Sequence, residues 1–543
     1  MRARSCRWHL DDRKTRSLPS NDAATTRLEE KSVVTYRHEL ETRDFCWIAV
    51  VFALAFLLRF LPVLFWPTMS QPDEIFQSVE QGHRLVFGYG LVPWEFEHGA
   101  RSWLLGYVCA GLIRLSLLFG DNPANYLRVI GAAFSLLSAS GSVCAFLWAK
   151  RLFGTALGLV AAMVPLCWVD GIFYGARALS DTVAPGLLVI GLYLAFPGQP
   201  VHGRVRLALA GALLAASVIF RLTLAPCVAL ACFWGDRQTW KHRVSWLTLG
   251  ALLCVALDGW FDAMTWGLPF EPLWRNFTFN ILKQGADAFG TGPWWWYLYD
   301  YAGAWGGTLP IFFGLAIIGA RWLPLPFLMG LTLCIVHSFL AHKETRFLFP
   351  AINLFAICAG VGMVQLGLWI NDALEKTRRR PRRLVFGGLC AAWLILSGIN
   401  VFGLDYREYW DEDQHDALQI SDLLYHGPPR CGLGLYNMDG FRIGGYSYFH
   451  RRLPIYPVSS ASSAVQLRDA AGNFDAVVID LQYWQQPARQ LLSLGYQKDN
   501  CVGKLCILRR AGDCRGDPMP KPPGPKNFAL GPAAYPQHQG VND

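Results

Sequence analysis

Residues 324–370 read PLPFLMGLTLCIVHSFLAHKETRFLFPAINLFAICAGVGMVQLGLWI. Two apolar runs, 324–341 and 347–370, flank the hexad His342-Lys343-Glu344-Thr345-Arg346-Phe347. Each run approaches or exceeds the roughly 20 residues that cross a bilayer. A charge in hydrocarbon costs about 2.5–3.5 kcal/mol even on insertion scales. The four ionisable groups of the hexad must therefore meet water, a ligand or one another. Taken alone, the hexad reads equally well as a polar turn closed by an internal ion pair.

The rest of the 543-residue chain repeats this pattern, with 53% hydrophobic and only 16% charged residues. Soluble domains carry roughly 25% charge. Charge collects in residues 1–44, in short loops and after about 404, and the intervening apolar runs mark a polytopic membrane protein. The 22 Trp and 19 Tyr suit membrane–water interfaces. Basic cytoplasmic loops account for much of the net charge of +9, so nucleic acid is not implied as a partner. Residues 1–44 hold ten Lys/Arg and eight Asp/Glu without apolar periodicity, which predicts a disordered cytoplasmic tail and no cleavable signal.

Basic loops mark the cytoplasmic side, most strongly Lys376 to Arg383, then Lys150-Arg151, Arg204-Arg206 and Arg237 to Arg243. Candidate spans fall near 46–66, 125–149, 155–172, 182–196, 206–220, 222–234, 244–258, 308–320, 324–341, 347–370 and 384–403. Eleven crossings put the N-terminus in the cytoplasm and the C-terminus outside. The apolar stretch 101–119 would break this parity as a span, and its Arg101, Arg114 and Asp121 fit a surface-lying amphipathic helix. The outer segments are then 67–124, the Trp-rich 259–307, and the hexad turn.

These segments hold the candidate chemistry. Pro72-Asp73-Glu74 follows the first span, and a regular helix from there puts Asp73, Gln77 and Glu80 on one face. The same residues also make an ordinary acidic helix start. A carboxylate beside cations at a membrane surface suits a general base. Trp94-Glu95, Arg101-Ser102, Arg177 to Asp181 and Arg221 fall on the same side, each with a local ion pair as its plainer reading. Asn276-Phe277-Thr278-Phe279-Asn280 and Gly290 to Tyr299, with Trp294 and Trp296, mix aromatic faces with amides and hydroxyls. That mixture suits a sugar and a lipid interface equally.

Together these residues resemble the polyprenyl-phosphate-mannose-dependent mannosyltransferases of GT-C fold, the lumenal α-mannosyltransferases of N-glycan and GPI-anchor assembly. The likeness spans about 46–403 and is greatest to the GPI branch. His342-Lys343-Glu344-x-Arg346-Phe347 matches the family signature, as do Pro72-Asp73-Glu74, Trp94-Glu95 and Arg101-Ser102, while Asn276 to Asn280 and Gly290 to Tyr297 match more loosely. Two motifs depart from the family: Arg177-Ala178-Leu179-Ser180-Asp181 stands for Arg-Thr-Leu-Ser-Asn, and Arg221-Leu222-Thr223 for Arg-Pro-Thr.

The resemblance implies an inverting transfer of mannose from a polyprenyl (dolichyl) phosphate to a lipid-linked, GPI-precursor-like glycan. Asp73 would be the base, with Glu74 assisting. His342, Lys343 and Arg346 would hold the donor phosphate, and Glu344, Arg177 and Arg221 would support them. Trp94, Glu95, Arg101, Asn276, Trp294 and Trp296 would bind substrate. No cofactor is implied beyond the lipid donor. No metal-ligand set stands out, although Asp73 and Glu74 do not exclude a metal. The site would face the lumen of the endoplasmic reticulum in a eukaryote, or the periplasm from a bacterial inner membrane.

The expected architecture is an all-α polytopic GT-C domain over 45–403 and a small extramembrane α/β domain over 404–512, followed by a disordered tail, 513–543. Strands are expected at 430–436, 476–481 and 504–508, and helices near 413–425 and 486–494. Cys431, Cys501, Cys506 and Cys514 would form disulfides in an oxidising compartment. Two alternatives stay open: a GT-C transferase for another polyprenyl-phosphate sugar, and a transporter. Against the transporter, the two halves show no repeat and the polar residues gather at one face.

Overall fold

The computed structural model describes residues 42–69, 71–196, 203–235, 237–375, 382–402, 412–428, 431–438, 440–458, 464–481, 489–512 and 514. The expected tails lie outside the described residues apart from Thr42–Asp44 and Cys514, as does most of the arginine-rich loop, 376–381.

Every one of the eleven apolar runs is helical. The first helix, Thr42–Phe65, begins three residues inside the expected tail. The run 155–172 breaks at Trp168 into Thr155–Cys167 and Val169–Tyr174. The run 222–234 opens as one 3-10 turn before Ala225–Phe233. Length and composition qualify five helices to cross a membrane unaided: Thr42–Phe65, Pro123–Phe153, Thr239–Trp266, Thr345–Glu375 and Arg382–Phe402. A sixth span arises if Trp296–Trp305 and Thr308–Ala320, bent by 112°, count as one. The remaining apolar helices are shorter, because prolines and polar residues interrupt them, so the fold itself does not fix eleven crossings. Helix Leu104–Ser116 buries Leu105, Cys109 and Ile113 and exposes Val108 and Leu115 on its other side.

Helix Phe349–Glu375, which follows the hexad, is buried along almost its whole length. Helix Thr308–Ala320 packs against it backbone to backbone: a Cβ on Gly319 would strike the Cys358 carbonyl, and one on Gly362 the Leu315 carbonyl. Small residues permit this close approach, the usual means of joining helices where lipid removes the hydrophobic drive. The hexad is thereby joined to a deeply buried helix of the bundle.

The C-terminal module is a five-stranded sheet, β1 Leu433–Tyr436, β2 Ile455–Val458, β3 Ala476–Asp480, β4 Gln497–Val502 and β5 Leu505–Arg509, in the order β2-β1-β3-β5-β4. β1 lies parallel to β2 and β3, while β5 is antiparallel to β3 and β4. Strands β1 and β3 are buried throughout, so they read as continuous apolar runs. β2 carries Pro457, and β4 is a polar edge strand with Lys498 and Asp499. Neither was expected, because neither has that pattern. Helices Glu412–His426 and Arg489–Ser493 lie where helices were expected. Disulfides join Cys431 to Cys514 and Cys501 to Cys506. Cys431, Cys514 and Asp475 cluster, but the disulfide leaves no thiolate there for a metal.

Candidate active site

Within the segment 67–124, Pro72 sits in the opening turn of a short helix, where it supplies no N–H that would need a partner. The helix passes through a π-helical turn, Ile75–Val79, into Glu80–Phe87. Such bulges recur at functional sites. Asp73, Gln77 and Glu80, expected on one face, meet three different partners. Asp73 Oδ2 accepts from Arg346 Nη2 at 2.6 Å, Gln77 Nε2 donates to Glu95 at 2.7 Å, and Glu80 turns to the C-terminal module.

The Asp73–Arg346 contact closes 273 residues of chain and joins the segment 67–124 to the hexad. Glu344 accepts from Arg346 Nε at 2.6 Å and Nη2 at 3.0 Å. Asp181 Oδ2 lies 3.7 Å from Arg346 Nη1, and Asp181 Oδ1 lies 2.8 Å from Arg221 Nε. Arg221 also stacks its guanidinium 4.4 Å from the Phe347 ring. His342 bridges Glu344 at 3.0 Å and the Gly290 carbonyl at 2.7 Å, and Gly292 N–H donates to Ala341 O at 2.9 Å. Thr345 donates to Asp300 at 2.7 Å. The Trp-rich loop is thus tied directly to the hexad.

Two expected phosphate ligands are already engaged by the protein. The Lys343 ammonium donates to the carbonyls of His337 at 2.8 Å, Ser338 at 2.9 Å and Leu340, where helix Pro324–Phe339 leaves its last acceptors unpaired. Those three bonds use all of its donors. Arg346 is shared among three carboxylates, for each of which a guanidinium fork is the natural partner. Both side chains are at most 9% exposed. A second pair stands beside this network: Arg177 lies 3.5 Å from Glu74 and donates to Thr68, both to its hydroxyl at 2.5 Å and to its carbonyl.

Arg101 differs from these cations. It is partly exposed, and among the described residues no group hydrogen-bonds to or pairs with its guanidinium. Its field nevertheless reaches the site. Burial pushes the Asp73 carboxyl up, but Arg346 and then Arg101 outweigh burial and hold it below the usual carboxylate range. Burial likewise raises the Glu95 carboxyl, and Arg101 offsets only part of that rise. At Glu344 burial again acts upward and Arg346 prevails, so the group stays ionised at neutral pH. Burial lowers the Lys343 ammonium.

Trp94 packs 4.4 Å from Phe279, and Phe289 lies 6.3 Å from both Trp94 and His342, so an aromatic chain runs beside the charges. Trp296 is partly buried against Tyr297 at 5.2 Å. Trp294 is 72% exposed, and Asn276 accepts only from Asn280, one turn along its own helix, at 3.2 Å. Neither joins the charged cluster. Asp181, which the sequence places in the candidate stretch Arg177 to Asp181 without a role of its own, links Arg221 to Arg346. An acidic group immediately before the apolar run 182–196, between Arg177 and Arg221 in sequence, is the available signal.

A sequence profile of the Alg9-like mannosyltransferase family matches residues 50–403. Relatives include GPI mannosyltransferase 3 of Yarrowia lipolytica, 27% identical over 75% of this chain and 78% of that protein. Mannosyltransferase APTG1 of Arabidopsis thaliana is 29% identical over 76% and 77%. GPI alpha-1,2-mannosyltransferase 3 of Mus musculus is 28% identical over 60% of each chain. The crystal structure of ArnT from Cupriavidus metallidurans bound to undecaprenyl phosphate superposes with a TM-score of 0.59 at 12% identity, over 87% of this chain and 99% of that one, a likeness of fold. The profile covers both Asp73-Glu74 and the hexad to which they are joined, and the chain belongs to the Alg9-like mannosyltransferase family, as a membrane-embedded mannosyltransferase.

Proposed function

We propose that the enzyme moves mannose from a polyprenyl-phosphate donor to a lipid-linked glycan of the GPI-precursor type, with inversion, at the non-cytoplasmic membrane face. The observation that carries this reading is the 2.6 Å contact between Asp73 and Arg346, which presents an ionised carboxylate beside the hexad. Names of the relatives support the acceptor class, and the ArnT complex with undecaprenyl phosphate supports a polyprenyl carrier. Two disulfides in the C-terminal module favour an oxidising side, as eleven crossings from a cytoplasmic N-terminus require. That side is the lumen in a eukaryotic endoplasmic reticulum and the periplasm in a bacterium.

In this mechanism Asp73 Oδ1, which accepts no protein hydrogen bond among the described residues, takes the proton of the acceptor hydroxyl. The acceptor oxygen attacks the anomeric carbon of mannose opposite the phosphate. The carbon–oxygen bond to phosphate breaks, and polyprenyl phosphate leaves. We assign the first contact with the leaving phosphate to Arg101, the cation not engaged by the protein. Arg346 holds Asp73 ionised, Glu344 and Asp181 orient Arg346, and His342 with Lys343 fixes the turn that carries them. Glu74, Glu95, Trp94 and Trp296 bind the acceptor and donor sugars.

Purified enzyme supplied with polyprenyl-phosphate-mannose and candidate glycolipids should form an α-mannoside. Asp73→Asn should lower turnover by about 10²–10⁴-fold, the usual contribution of a general base. Arg101→Gln should weaken donor use far more than Lys343→Gln. Full activity in Asp73→Asn would overturn the base assignment.

A further inference from the structure

The cation assigned to the leaving phosphate lies in a stretch without regular structure. Residues 98–103 join helix Trp94–Glu97 to helix Leu104–Ser116 and belong to neither. Backbone groups there lack helical partners, so other donors must satisfy them. Those donors come from the Trp-rich segment. The span read at 244–258 continues as helix to Trp266, eight residues further, or about 12 Å at 1.5 Å per residue.

The extension meets the 98–103 stretch at two polar points. Ser102 Oγ donates to Asp262 Oδ1 at 3.0 Å, and Trp266 Nε1 donates to the Arg101 carbonyl at 3.1 Å. A third bond comes from the next helix, Glu271–Phe277, where Arg275 Nη1 donates to the His98 carbonyl at 2.8 Å. Gly99 shows how closely the two chains approach. Its φ is +66°, and a Cβ there would lie 3.3–3.4 Å from the Arg275 and Trp266 side chains.

The contacts divide by kind. Trp103 against Trp266 at 6.3 Å and Tyr107 against Phe261 at 5.5 Å hold the segments together by apolar packing, without touching Arg101. The polar bonds from the helix converge on residues 101 and 102. Trp266 fixes the Arg101 carbonyl, and the next side chain is turned to Asp262, which is 2% exposed and has little room to follow a shifted partner. Ser102 Oγ also accepts from Leu104 N at 3.3 Å, which ties the same anchor to the start of the following helix. Arg101 thus has a held backbone beneath a guanidinium that no described group engages. Only its side-chain torsions remain to be ordered when an anion arrives, and that reduces the ordering cost of binding.

Given the assignment of Arg101 to the leaving phosphate, on which this rests, we propose that Asp262 and Trp266 are positioning residues for Arg101 and through it set the use of the polyprenyl-phosphate sugar donor. The Trp-rich segment then serves both sides of the site: Gly290 accepts from His342 of the hexad, and Trp266 holds the cation opposite.

The test is steady-state transfer by the full-length enzyme, with polyprenyl-phosphate-mannose varied at saturating acceptor and the acceptor varied at saturating donor. Asp262→Leu and Trp266→Phe should each lower kcat/KM for the donor about 10-fold, near the upper end of what one hydrogen bond contributes. The acceptor KM and the acidic limb of the pH–rate profile should stay in place, whereas a general loosening of the fold would move both. Asp262→Asn, whose amide oxygen still accepts from Ser102, should recover most of the loss. In an Arg101→Gln background neither change should lower donor kcat/KM further. Full donor kcat/KM in Asp262→Leu and Trp266→Phe, with Arg101→Gln impaired, would overturn the positioning role and leave the phosphate assignment standing. Multiplying effects in the double variants would overturn it as well. Unchanged donor use in Arg101→Gln would remove the phosphate assignment and the positioning role with it. If Asp262→Leu fails to fold, Trp266→Phe decides.

Discussion

Replacing Arg346 by Gln tests the site most directly, because one guanidinium serves three acids. It bonds Asp73 at 2.6 Å and Glu344 at 2.6 and 3.0 Å, and lies 3.7 Å from Asp181. Removing one partner of a buried ion pair costs about 3–5 kcal/mol, because the other charge stays buried. Asp73 and Glu344 have side chains 29% and 28% exposed, so solvent relieves part of that cost. A stability loss of about 3 kcal/mol, at the low end of the range, is expected. Catalysis should suffer more. The Asp73 carboxyl is pushed up by burial and brought below its ordinary value chiefly by Arg346. Its stabilising ion pair is therefore complete above the unfolded carboxyl's titration and is lost as pH falls through the folded one. Without Arg346, burial is opposed only by the weaker fields of Arg101 and Arg221, and the carboxyl titrates higher.

The expected result is a fall of about 10²–10⁴-fold in turnover at neutral pH, with the acidic limb of the pH–rate profile moved to higher pH. Arg346→Lys keeps the charge but offers its donors from a single nitrogen instead of a planar fork that spans Asp73 and Glu344, so it should recover only part of the loss. The assay is transfer of labelled mannose at saturating donor from pH 5 to 9, with thermal unfolding of each variant alongside. An acidic limb that stays in place in Arg346→Gln would refute the electrostatic account, even if activity fell.

Four further outcomes follow from the same geometry. Asp181→Asn should destabilise the enzyme by about 2–4 kcal/mol and lower activity, because Arg221 and Arg346 lose a shared counter-charge; unchanged unfolding would show that the pair is not formed. The Glu80 carboxyl accepts from Tyr446 N at 3.1 Å and Ser447 N at 2.8 Å, and burial raises it from 4.5 to about 7. Docking of the C-terminal module should therefore weaken by about 3 kcal/mol as pH rises from about 4.5 to 7, while His83 and His450, both held below 6.5 by burial, weaken it as pH falls below 6.5; hydrogen exchange at 445–449 in Glu80→Gln, which removes only the first effect, separates them. Breaking Cys431–Cys514, which closes 83 residues, should cost about 4.5 kcal/mol against about 2 for Cys501–Cys506, which closes 5, as judged by serine variants in thermal unfolding. Under the proposed mechanism transfer should survive EDTA, since Arg101 would stabilise the leaving phosphate; loss restored by Mg²⁺ or Mn²⁺ would require a metal.

The helices were legible because burial in lipid demands long apolar runs, and every run read from the sequence is a helix. How many cross the membrane was less legible, since Thr155–Cys167 and Ser180–Ala195 are too short to declare a span by composition. Strands β1, β3 and β5 carried the signal of double burial, whereas β2 and β4 are held by partners that no local pattern announces. The acids and bases of the site were legible as expensive residues placed on one face. Their partners were not. The π-helical turn at Ile75–Val79 is a one-residue widening of the helix, which leaves no mark in periodicity.

That difference between charges and partners bears on which cation would meet the donor phosphate in the proposed mechanism. A sequence counts Lys343, Arg346, Arg177 and Arg221 as available cations. In the fold, Lys343 closes a helix end, and each arginine is neutralised by an acid from a distant segment: Asp73 for Arg346, Glu74 for Arg177, Asp181 for Arg221. A site that moves a phosphate leaving group needs a positive field that substrate does not have to unpair. Competing for Arg346 would release Asp73 from the charge that keeps it ionised, and so would disable the base at the moment it is needed. Under the proposed mechanism, leaving Arg101 unengaged at the partly exposed edge, while Arg346 remains with its acids, would let one site stabilise a leaving anion and hold a carboxylate base together. The two cations therefore answer different questions in kinetics: Arg101 should govern donor affinity and departure of the phosphate, and Arg346 the pH at which the acceptor hydroxyl can be deprotonated.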